Sequence, residues 1–89
     1  MKIKIELFGA ARDFSEEDYL ELTISENITI KEVRNNLMNY IQNKYPDNLN
    51  YLEIVKNSAF ANDQDVIVQD NYKLSKEKKL CIIPPVGGG

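Results

Sequence analysis

The sequence predicts an α+β fold, a mixed sheet packed on one main helix over about residues 30–44. Three observations carry this. Period-two strand patterns open and close the chain, one capped helical pattern lies between them, and turn residues separate what remains.

The first strand is Lys2-Ile3-Lys4-Ile5-Glu6-Leu7-Phe8. Ile3, Ile5 and Leu7 share one face, and Lys2, Lys4, Glu6 and Phe8 share the other, which marks a half-buried strand. Gly9 through Glu17 break the pattern and read as a connection. A second strand, Tyr19 to Ile24, turns Leu20, Leu22 and Ile24 inward and pairs with the first as a hairpin.

Thr29-Ile30-Lys31-Glu32 is a capping box. The Thr29 hydroxyl accepts from the backbone N–H of Glu32, and the Glu32 carboxylate reaches back to Thr29. Ile28 and Val33 occupy hydrophobic-staple positions. Ile30, Val33, Leu37 and Ile41 then recur every three or four residues as one helix face. Pro46 stops the helix, which is expected to end near Lys44 or Tyr45.

Asp47 to Lys56 reads as a short turn or strand, with Leu49, Leu52, Ile54 and Val55 packed. Ser58–Ala61 and Val66–Val68 are two short strands around a turn at 62–65. Leu74 is a core anchor, and Ser75 to Lys79 form a polar turn. The last strand, Leu80-Cys81-Ile82-Ile83, ends at Pro84-Pro85, and Val86-Gly87-Gly88-Gly89 follow. The order of strand, strand, helix, short strands and final strand is that of the ubiquitin-like β-grasp fold. One domain over residues 1–86 is expected, with a flexible glycine tail at 87–89.

Composition narrows the function. The chain has 89 residues with 43% hydrophobic and 28% charged side chains, values ordinary for one globular domain. Net charge is −3, and nucleic-acid binders show the opposite balance. No apolar run reaches the roughly 18 residues of a membrane span. The opening alternates charge with apolar residues, unlike the continuous apolar stretch of a signal peptide, so a cytoplasmic protein is expected. With one cysteine and no histidine, an internal zinc site and a histidine general base are both disfavoured.

Three terminal glycines are compatible with a plain flexible end or an expression remnant. Two features favour a chemical role. The run ends in a carboxylate, and it follows a strand and Pro84-Pro85. The prolines lock φ and lack N–H groups, so they end sheet pairing and launch the chain in a stiff, extended start. Glycines without Cβ atoms then fit a narrow channel. Such an arm suits delivery of a terminal group into the active site of another protein, where activation would make it electrophilic. On the final strand, Leu80 and Ile82 face one way and Cys81 and Ile83 the other. Phe8, Cys81 and Ile83 therefore form either an exposed apolar patch below the tail or a core beneath a covering loop. Both readings stand on sequence alone.

The chain resembles the MoaD-like sulfur carriers, the small subunits of molybdopterin synthase in the ThiS/MoaD superfamily. Leu7-Phe8-Gly9-Ala10-Ala11-Arg12-Asp13 is similar to that family's opening strand and following loop. Ala61-Asn62-Asp63-Gln64-Asp65-Val66 resembles its hairpin, and Ile82 to Gly89 resembles its Pro-Pro-Val-x-Gly-Gly ending. The resemblance implies that Gly89 is the reacting residue. A ubiquitin-activating-type (MoeB-like) enzyme would adenylate it with ATP, and a sulfurtransferase would convert the adenylate to a thiocarboxylate. Val86, Gly87, Gly88 and Gly89 would thread into a large (MoaE-like) synthase subunit. There the sulfur would pass to cyclic pyranopterin monophosphate, in a heterotetramer of two small and two large subunits. Phe8, Cys81, Ile83, Pro84 and Pro85 would meet the partner. No cofactor or metal is expected on this chain itself; AMP would join Gly89 through the activating enzyme. Other acceptors of the same chemistry are thiamine or tRNA thiolation, or lysines of conjugated proteins.

The sequence departs from the family pattern in places. Lys76-Glu77-Lys78-Lys79 stands where a Gly-Asp turn is common, and is read as a solvated hairpin tip in preference to a docking site. Ile82 and Ile83 replace paired aromatics, and Gly87 replaces Ser or Thr. Arg12 is read as a surface or capping group, and Cys81 as a small hydrophobe in preference to a reactive thiol.

Overall fold

The structure, a computed structural model, describes residues 1–85. Strand β1 (Lys2–Leu7) leads into a 3-10 helix (Gly9–Phe14) and strand β2 (Tyr19–Thr23). Helices α1 (Ile30–Lys44) and α2 (Leu49–Asn57) follow, then β3 (Ala59–Ala61), β4 (Ile67–Val68) and β5 (Lys79–Ile83). The sheet order is β2-β1-β5-β3-β4. β1 and β5 pair in parallel, and the other pairs are antiparallel. This is the mixed sheet expected, with the last strand in its centre.

The alternation in β1 decides which face is covered. Ile3, Ile5 and Leu7 are buried on the helix side with Leu20, Leu22, Phe60, Leu80 and Ile82. From α1 come Ile30, Val33, Leu37 and Ile41, all fully buried, and Leu74 joins them as expected. The capping box of α1 is complete. Glu32 N–H donates to Thr29 Oγ1 over 3.2 Å, and Thr29 N–H donates to Glu32 Oε1 over 3.2 Å. Ile30 and Lys31 donate to the carbonyls of Tyr72 and Asp70. The first N–H groups of the helix, which have no partner within it, are thus satisfied by the cap and by the loop before Leu74.

Two segments differ from the sequence expectation. Residues 47–56 hold a helix, not a turn or strand. The Asn48 side chain caps α2 by accepting from Tyr51 N–H over 3.1 Å, and burial of Val55 fastens it to the core. Leu49, expected to be packed, is 71% exposed at the first helical position. The second segment is the connection after β1. Its 3-10 helix buries Ala11 and Phe14 completely. The Phe14 ring lies 5.2 Å from that of Tyr51, and the Tyr45 hydroxyl donates to the Phe14 carbonyl over 3.2 Å. Removing one such ring from water stabilises the fold by about 1.5–3 kcal/mol, enough to hold a loop otherwise rich in charge.

The end of α2 is fastened by a side chain from α1. Arg34 Nη1 donates to the carbonyls of Val55 (2.9 Å) and Ser58 (2.6 Å), and Nη2 pairs with Asp70 at 2.9 Å. Its guanidinium lies 5.0 Å from the centre of the Phe60 ring. No helix among the described residues is long and apolar enough to cross a membrane.

Candidate functional site

Strand register builds the outer face of the sheet in rows. Lys4 lies beside Lys79, and Glu6 beside Cys81. Cys81 lies beside Ala61, and Ala61 beside Ile67. Nearer the tail, Ile83 lies beside Ala59. Phe8 directly follows Leu7, whose partner is Ile82, so it falls at the same level as Ile83.

Phe8 is 46% exposed and Ile83 36%, so these two form an exposed apolar pair at the tail end of the sheet. Among the described residues, no loop covers them. Cys81 does not join them, because it is only 5% exposed. Its short side chain lies between Glu6 and Ala61, and its Sγ approaches Glu6 Oε2 at 3.9 Å. Glu6 Oε1 in turn pairs with Lys79 Nζ at 3.3 Å. Burial, and then the Glu6 carboxylate, push the thiol pKa up, which makes Cys81 a poor nucleophile. Sequence reasoning missed Ile67, which is 56% exposed in the same row as Cys81. Val68 is half-buried and turns Ile67 outward, but Val66 is 54% exposed as well, so the three residues show no clean alternation that would have marked Ile67.

The tail base is held from the side. Pro84 is half-buried and Pro85 exposed. Gly9 turns the chain out of β1 with φ +54, and a Cβ built on it would sit 3.9 Å from Pro84 Cγ. Val86, Gly87, Gly88 and Gly89 lie outside the described residues.

The turn before β5 is not simply a solvated tip. Glu77 is 7% exposed and accepts from the Tyr72 hydroxyl and from the N–H groups of Ser75 (2.9 Å) and Lys76 (3.2 Å). An inward carboxylate closes the turn where a Gly-Asp pair would have done so by backbone geometry. Arg12 is exposed on the 3-10 helix. Among the described residues, no group of three or more His, Cys, Asp or Glu side chains can hold a metal ion.

A family model described as ThiS family matches residues 5–89. The chain belongs to the ThiS family. Its members are small ubiquitin-like domains of the ThiS/MoaD type, sulfur carriers by family. No curated protein matches this ThiS-family chain in sequence. Solved structures do match it in fold. SAMP1 from Haloferax volcanii superposes with a TM-score of 0.68 at 12% identity, over the whole of both chains. A Pyrococcus furiosus protein assigned as molybdopterin converting factor, subunit 1, gives 0.61 at 18% identity, over 96% of this chain and 98% of that one. A chain from the complex of subunits 1 and 2 of the Helicobacter pylori molybdopterin-converting factor gives 0.56 at 20% identity, over all of both chains. At these identities the likeness shows the fold, a β-grasp.

Proposed function

We propose that this ThiS-family domain is the sulfur-carrying small subunit of a molybdopterin synthase, with Gly89 as its reacting residue. The observation that carries the reading is the family match, which runs through Gly89. It takes in a tail whose base, Pro84-Pro85, continues the central strand β5. The likeness to the Pyrococcus subunit 1 protein and to a chain of the Helicobacter complex supports molybdopterin as the pathway, and the Helicobacter complex supports a large-subunit partner.

The chemistry follows from the carboxylate. A Gly89 oxygen attacks the α-phosphorus of ATP held by an activating enzyme, and pyrophosphate leaves. A sulfur nucleophile supplied by a sulfurtransferase attacks the carbonyl carbon of the resulting acyl-adenylate, and AMP leaves. The thiocarboxylate sulfur then attacks a carbon of cyclic pyranopterin monophosphate in the large subunit, and an oxygen substituent leaves that carbon. Water cleaves the resulting thioester, which leaves sulfur on the pterin and returns the Gly89 carboxylate. In this scheme the domain supplies the tail and a docking face centred on Phe8, Ile83, Pro84 and Pro85. The general acid–base groups and the ATP site belong to its partners.

Mass spectrometry of the protein co-expressed with its activating enzyme and sulfurtransferase tests the reading. The expected product is heavier by the exchange of one oxygen for sulfur at Gly89. Deleting Gly88 and Gly89 should abolish it with the fold unchanged. Unmodified protein under these conditions would overturn the proposal. Lysine-linked adducts in cells, without capture of a large subunit, would favour a conjugating modifier instead.

A further inference from the structure

Pro84 and Pro85 form one wall of an open groove of about 360 Å³. Ala10 lines it, and the rest comes from Asn50, Glu53, Ile54 and Asn57 of α2. The spacing of these four places them on one helix face. The groove is two-natured. Ala10, Ile54 and the prolines make it apolar, whereas Glu53 and the two asparagines add polar groups. Asn57 Nδ2 donates to the Glu53 backbone carbonyl (3.0 Å) and approaches its Oε2 (3.4 Å), which holds the carboxylate on this face. Glu53 is exposed, and neither ion pair among the described residues includes it.

We propose that this groove receives a cationic side chain, arginine or lysine, from the activating enzyme that takes the tail. The inference rests on the carrier reading above. Four residues beyond Pro85 span at most about 14 Å when fully extended. An enzyme holding Gly89 at its ATP site must therefore lie close against the tail base, and the groove begins there. A long cationic side chain matches both halves of the groove, with its stem on the apolar wall and its head at the Glu53 carboxylate. The Asn50 and Asn57 amide oxygens offer further acceptors. An acidic side chain would be repelled. A purely apolar one would strip water from Glu53 without returning a partner.

The test measures ATP–pyrophosphate exchange by the cognate activating enzyme as a function of carrier concentration. Glu53→Gln is expected to raise KM about tenfold and Glu53→Lys further, with kcat unchanged. Raising salt should weaken the unaltered carrier more than Glu53→Gln, because the variant has no charge left to screen. Asn50→Lys, which places a cation in the same groove, should resemble Glu53→Lys and serves as a second charge variant. KM values for both lysine variants within about twofold of the unaltered protein would overturn the inference while leaving the carrier reading intact. No exchange with the unaltered protein would instead overturn the carrier reading, and this inference with it.

Discussion

Arg34 Nη1 donates to the carbonyl oxygen of Ser58 over 2.6 Å, tying the first helix to the chain just beyond the second. The same nitrogen serves Val55, and its neighbour serves Asp70, so one guanidinium joins α1, the end of α2 and the loop after β4. Arg34→Ala takes the guanidinium donor from the half-buried Ser58 carbonyl, whereas Val55 keeps the N–H of Ser58, and is expected to cost about 1–3 kcal/mol, read as a lower urea midpoint. Arg34→Lys should recover only part of this, because an ammonium lacks the planar fork. Asp70→Ala, at an exposed partner, should cost under about 1 kcal/mol.

Glu77 makes stability depend on pH. Burial alone would raise its pKa, but hydrogen bonds from the Tyr72 hydroxyl and from the Ser75 and Lys76 N–H groups outweigh it and hold the carboxyl below the ordinary value of 4.5. A carboxyl lowered on folding contributes stability above its unfolded pKa and loses it as pH falls through the folded one. Urea midpoints should therefore drop on acidification below the ordinary carboxylate range. Glu77→Gln should lower the neutral-pH midpoint and flatten that dependence.

Thr29→Ala removes the α1 cap and should destabilise the protein by about 1 kcal/mol. The Glu32 pKa is lowered chiefly by the Thr29 backbone N–H and then by the Thr29 hydroxyl. An NMR titration of the variant should show Glu32 moving back toward 4.5, in part only, since the N–H remains.

Gly9→Ala separates space from backbone strain. A methyl group would meet Pro84 at 3.9 Å, an ordinary contact, so crowding contributes nothing. The φ of +54 remains, and an alanine there should cost about 1 kcal/mol in thermal or urea unfolding.

Phe8→Glu and Ile83→Glu should each leave the fold intact, since both side chains are at least 36% exposed. On the carrier reading they should weaken capture of the large subunit about tenfold or more in a pull-down or calorimetric titration. Cys81→Ser should matter less for docking, because Cys81 is buried and its thiol faces the Glu6 carboxylate.

The long elements were legible because they repeat their signals. β1 shows three full alternations, and α1 combines a capping box with four core positions. Helix α2 escaped because nine residues give little more than two turns, too few for periodicity to separate helix from strand. Its N-cap, Asn48, stands two residues after Pro46, and asparagine after proline is as much a turn signal as a helix start. Phe14 was hidden in a loop of Asp and Glu, and Glu77 in a run of lysines. In both cases local composition described the neighbours and not the residue that turns inward. The outer-face pairing of Phe8 with Ile83 followed from strand alternation, whereas the burial of Cys81 goes with its place between Glu6 and Ala61 in the sheet, which only register reveals.

Because β5 is the last strand in sequence and the middle strand in space, β1 and β3 have no common neighbour until it is made. A chain emerging from the ribosome carries two separate hairpins with unpaired inner edges, and the sheet closes only when residues more than seventy positions apart meet. Closure of the sheet thus waits for the segment that leads directly into the glycines, and a chain interrupted before it lacks the strand that joins the two halves of the sheet.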